Sequence, residues 1–141
     1  MKQPKTAQVV TENVELEFVD PQGEATSIEA DLVFDPADPY AVTMVFRTGV
    51  QEVLWTFGRE LLVEGCYEPT GDGDVHVWPC LSSGGSAVVI IELCSPDGEL
   101  LVQASSRSVD NFVTAMLDSV PHGQESAFVN FDDELASILS V

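Results

Sequence analysis

Positive charge is what this sequence has least of. Its 141 residues include 5 lysines and arginines against 24 acids, a formal net charge of −19. Affinity for DNA or RNA comes largely from lysines and arginines that displace counterions from phosphates, and Lys2, Lys5, Arg47, Arg59 and Arg107 are scattered along the chain. Five dispersed cations in a negative long-range field predict neither a nucleic-acid partner nor docking on anionic lipid. Long apolar runs are missing too. The strongest, Ala87 to Ile91, is far below the roughly 20 residues of a membrane-spanning helix, so no direct membrane insertion is expected. The first residues, MKQPKTAQVV, have no apolar segment followed by a cleavage site, so no secretory signal is predicted and a cytoplasmic location is expected. Cysteine is sparse and odd in number, with 3 in all. Cys66, Cys80 and Cys94 contain no CxxC, which fits neither a disulfide framework nor a zinc knuckle and predicts buried free thiols.

What is present is a hydrophobic content of 45%, too high for a disordered acidic chain and enough for the core of one domain over residues 1–141. Apolar and polar residues alternate with period two over Asn13–Val19, Ser27–Phe34, Ala41–Arg47 and Gln51–Phe57, which predicts four strands. Asp20 to Gly23, Asp35 to Pro39 and Thr48-Gly49 supply the turns between them. Val53, Trp55 and Phe57 should share an inward face. Arg59 to Val63 reads as a short helix stopped by Gly65. Three more strands follow at Asp74–Leu81, Ala87–Cys94 and Glu99–Ser105, the middle one apolar on both faces and so expected to be interior. From Ser108, a predicted N-cap, the period turns helical through Val109, Phe112, Val113, Met116, Leu117 and Val120 until Pro121 and Gly123. A further helix is predicted over Asp132–Leu139. The expected class is α+β: two antiparallel β halves, a short helix between them and helices at the C-terminus.

The segment CYEPTGDGDVHVWPC, Cys66 to Cys80, gathers acids, a histidine and two thiols. Its spacing fails as a calcium loop, because counting from Asp72 puts Val77 and Ser83 where glycine and glutamate are needed. Zinc fares no better. His76 and Cys80 on one strand would be about 13 Å apart at roughly 3.3 Å per residue, beyond the reach of one ion. Around His76 and His122 there is no G-x-S-x-G, HExxH or Cys-His pattern. The adjacent Asp132 and Asp133 suit a helix N-terminus better than acid/base chemistry. No catalytic residue, metal or cofactor is predicted.

Four segments in order, WTFGRELLVEG (55–65), GDGDVHVWP (71–79), SPDGELLVQA (95–104) and FVTAMLDSVPHGQE (112–125), resemble the SsgA-like sporulation-specific cell division proteins, with a balance most like the SsgB branch. One departure is Gly58, where that family usually has alanine. The resemblance implies a whirly-like single domain forming a homotrimer, and a non-enzymatic cytoplasmic protein at the sporulation septum of actinobacteria. It further implies that FtsZ is recruited there and its assembly promoted, with other SsgA-like proteins as additional partners. The whirly-like fold also offers an alternative, a single-stranded nucleic-acid-binding module with Trp55, Phe57 and Trp78 as a stacking platform, against which the charge argues. Partner contacts are expected at Arg59 and Glu60 on the short helix and at Asp72 and Asp74 in the loop.

Overall fold

A computed structural model describes residues 8–19 and 25–129. Strands β1 (Val10–Val19), β2 (Ala25–Phe34), β3 (Ala41–Arg47) and β4 (Glu52–Gly58) form one antiparallel meander. Helix α1 (Arg59–Gly65) leads to a second meander of β5 (Thr70–Asp72), β6 (Val75–Leu81), β7 (Ala87–Ser95) and β8 (Gly98–Ser105). Helix α2 (Ser106–Ser119) and a 3-10 turn at Glu125–Phe128 complete the described chain. The two halves merge into one sheet ordered β4-β3-β2-β1-β8-β7-β6-β5. Among the described residues their seam is short, pairing only Glu17 with Gln103 and Phe18 with Val102.

Alternation decides which residues go inside. Val14 and Leu16 of β1, Ala30, Leu32 and Phe34 of β2, and Val42, Met44 and Phe46 of β3 are buried, while the acids between them face out. The second half contributes Val75, Val77, Val89, Ile91, Leu93, Val102 and Ala104 to the same core. Helix α2 crosses β1, β7 and β8 and inserts Val109, Phe112, Val113 and Met116, so it fastens the halves where the backbone seam is thinnest. Burying each such side chain contributes about 1.5–3 kcal/mol. On β7, Val88 and Ile90 are buried on the opposite face, beside Cys80, Trp78, Ser105 and Gln103 of the flanking strands. That strand is thus interior and apolar on both faces, as expected.

Several local expectations change. The segment Cys66–Cys80 holds a hairpin and not a plain loop: Asp72 pairs with Val75 across a two-residue turn in which Gly73 has φ +61°. Asp72 and Gly71 give almost no strand signal by composition, so only the partner strand reveals them. Helix α2 begins three residues early, because Ser105 and not Ser108 is its cap, with the Ser105 hydroxyl accepting from the Ser108 amide at 3.1 Å. The polar Ser106, Arg107 and Ser108 hide that first turn from any apolar period. Gly65 is not a left-handed stop. It is the last residue of α1, and a Cβ there would lie 2.3 Å from Val77 Cγ1, so glycine is required by the close approach of α1 to β6. Val53 is 38% exposed, and of the predicted β4 face only Phe57 is buried, with Trp55 packed partly against the core. The predicted Asp20–Gly23 turn and Asp132–Leu139 helix lie outside the described residues.

Candidate functional site

The four residues expected at a partner surface sit in three different environments around α1. Arg59 is not on the surface at all: it is fully buried, the largest such side chain described. Its guanidinium donates to the carbonyl oxygens of Val120 at 2.9 Å and Pro121 at 3.3 Å and to Glu125 Oε1 at 2.5 Å, and lies 5.5 Å from the centre of the Phe34 ring. Arg59 therefore ties the start of α1 to the chain leaving α2, more than 60 residues later. Burial pushes the Glu125 carboxyl up, but hydrogen bonds from the Gly123 amide and the Arg59 guanidinium outweigh it and hold the group below its ordinary value. The Glu125 carboxylate is thereby kept ionised beside the guanidinium.

Glu60, one residue on, points elsewhere. Its Oε1 meets His122 Nδ1 at 3.0 Å, with both side chains substantially exposed. Glu60, His122 and Glu125 each place a donor atom within 4.8 Å of the other two.

Asp72 and Asp74 flank the tip of the β5–β6 hairpin, and both are exposed. They line a groove of about 450 Å³ together with Leu54, Trp55, Thr56, Phe57, Gly58, Leu61 and Val75. The curled sheet brings its two ends together here, β4 on one wall and the β5–β6 hairpin on the other. Beyond β3, strand β4 has no paired neighbour among the described strands, so one row of its backbone donors and acceptors is open. Leu54 on it is 63% exposed. Sequence reasoning missed this apolar edge because alternation drew attention to the face of Val53, Trp55 and Phe57, which was expected to point inward. Leu54, an apolar residue on the face opposite to the alternating Val53, Trp55 and Phe57, was the available signal.

The opening segment has its own geometry. His76 is paired with Gly71, and its ring fills the place of the missing side chain: a Cβ on Gly71 would be 2.1 Å from His76 Cδ2. His76 Nδ1 lies 3.3 Å from Glu92 Oε1. Among the described residues, no potential metal-ligand trio includes His76, Cys66 or Cys80, and the three cysteines are free. Burial, with Asp110 nearby, raises the Cys66 thiol to about 11, whereas Cys80 is exposed. Two of the three arginines in the sequence are committed to acids, Arg59 to Glu125 and Arg47 to Asp31 and Glu52. This leaves the groove flanked by acids without compensating charge from either. No helix among the described residues is long and apolar enough to cross a membrane.

Comparison with known proteins agrees with this architecture. Residues 28–125 match the family model "Streptomyces sporulation and cell division protein, SsgA". The chain is 41% identical over 131 residues to the sporulation-specific cell division protein SsgB of Frankia casuarinae, covering 92% of this chain and 91% of that protein. To the SsgB protein of Streptomyces coelicolor it is 46% identical over 114 residues, covering 80% and 82%. A solved structure described in a study of SsgB mutations and longitudinal cell division in S. coelicolor superimposes with a TM-score of 0.81 at 40% identity, covering 89% of this chain and 98% of that one. The crystal structure of an SsgA-like sporulation-specific cell division protein from Thermobifida fusca gives a TM-score of 0.84 at 33% identity, covering 96% and 98%.

Proposed function

Because the chain belongs to the SsgA family of sporulation and cell division proteins, we propose that it works without catalysis, as an adaptor that recruits FtsZ to sporulation septa and promotes its assembly. The observation that carries this reading is the open β4 edge beside the acidic hairpin tip: exposed Leu54, partly buried Trp55 and a row of free backbone groups on one wall, Asp72 and Asp74 on the other. Such an edge accepts an extended segment by strand addition, in which main-chain hydrogen bonds give affinity and flanking pockets give selectivity. The shallow, acid-rimmed groove suits a protein segment better than a small substrate, which needs a deeper and more apolar enclosure. Asp72 and Asp74 are the contact residues in this reading, and Glu60 is a flanking contact. Arg59 contributes by holding α1 in place.

The proposed working form is a homotrimer in the cytoplasm, at the septum, with other SsgA-like proteins as further partners. Three copies of one modest edge, presented together, bind a polymer far more strongly than one copy does, because each later contact forms at high effective concentration. Bridging of neighbouring filaments then promotes assembly. In the test, FtsZ polymers are sedimented with and without the protein. Co-pelleting with an increase in pelleted FtsZ is the expected result, and a wild-type protein that stays in the supernatant and leaves the pellet unchanged would contradict the reading.

A further inference from the structure

We infer that Glu60, His122 and Glu125 form a binding site for a divalent transition-metal ion of the zinc type. The three come from separate segments, the first turn of α1, the turn after α2 and the 3-10 turn at Glu125–Phe128, and chain proximity accounts for at most two of them meeting. Their donor atoms lie within 4.8 Å of each other. Ligands of a tetrahedral zinc ion at about 2.0–2.2 Å from the metal are about 3.4 Å apart, so the exposed Glu60 and His122 side chains need only draw in slightly toward Glu125 for the trio to hold an ion. One contact, from His122 Nδ1 to Glu60 Oε1, is already 3.0 Å.

The donor set fits the ion class. One imidazole with two carboxylates suits zinc and its neighbours, and three protein ligands leave a position for water. Calcium would want more oxygens and no nitrogen. Glu125 is the anchored member. Its Oε1 accepts from Arg59 at 2.5 Å and from the Gly123 amide at 2.9 Å, and neither bond uses the other oxygen, so the carboxylate is held in orientation by an outer shell as metal-binding carboxylates are. Glu60 and His122 are exposed enough to admit the ion from solvent. With Arg59 counted, the two glutamates leave a net charge of minus one before the ion enters, so the site favours a cation despite the buried guanidinium. Occupancy clips α1 to the exit of α2 from outside, across the joint that the Arg59–Glu125 pair closes from inside.

The test is calorimetric titration of the full chain with Zn²⁺ near neutral pH, followed by Co²⁺ absorption spectroscopy. The expected result is one ion per chain, with binding weakened about tenfold or more by Glu60→Gln and by His122→Gln and unchanged by His76→Gln. Both substituted side chains are exposed, and circular dichroism of each variant verifies that it remains folded. Absence of Zn²⁺ binding, equal binding by His122→Gln, or an intense sulfur-to-cobalt band placing the ion on the cysteines would each overturn the assignment. FtsZ sedimentation is independent of all three outcomes.

Discussion

The two faces of α1 make opposite use of charge. On one, Arg59 is sealed among Phe34, Val120, Pro121 and Glu125, and every donor contact described for it stays within the chain. On the other, Leu61 looks into a groove where Asp72, Asp74 and the edge of β4 meet solvent. A buried pair of this kind costs more to break than it contributes by forming, since the partner left behind is an uncompensated charge. An exposed acid costs nothing to keep and is available to another molecule. The closed side therefore fixes where α1 stands, and the open side is the surface that can be read.

The sharpest way to break this contrast is Arg59→Ala, which strands Glu125 and two carbonyls. A loss of about 3–5 kcal/mol is expected in urea unfolding, while Asp72→Asn stays within about 0.5 kcal/mol of wild type. Equal effects would erase the distinction. Next comes the glycine pair bounding α1. Gly65→Ala drives a methyl into Val77 and should cost about 1–3 kcal/mol. Gly58→Ala meets nothing closer than the Tyr40 carbonyl at 4.0 Å and should shift stability by no more than about 1 kcal/mol.

A smaller effect appears in alkali. Cys66, just past α1, has its thiol raised from 9.0 to about 11 by burial and then by Asp110. The folded state keeps a proton that the unfolded chain releases, so this contribution is fully present below about 9 and is lost as pH rises to about 11. Cys66→Ala should flatten that limb of the stability profile, and iodoacetamide should label exposed Cys80 well before Cys66 in the native protein.

How far the sequence speaks for itself differs between these same two sides. Strand positions are legible because alternation is enforced by a single shared core, and Ala41–Arg47 matches to the residue. The role of Arg59 was not legible by periodicity, since its partners lie 61 to 66 positions away. One local clue existed: a cation in the first turn of a helix opposes the helix dipole, and tolerating it requires an acid from elsewhere. For Asp72 and Asp74 the sequence pointed to a turn, but their meeting with β4 follows from sheet curl, which no short window encodes. The short strand at Thr70–Asp72 was hidden for the same reason, its identity lying in its pairing with Val75–Val77.

Leu54→Asp has the least expected effect on the fold, within about 0.5 kcal/mol because the side chain is exposed, and the greatest on binding. Sedimentation of FtsZ polymers with this variant beside the wild type is the most direct test of the open edge. Wild-type protein should co-pellet and increase pelleted FtsZ, while Leu54→Asp, with an unchanged melting temperature, should remain in the supernatant. Equal co-pelleting of the two proteins, or none by either, would contradict the account.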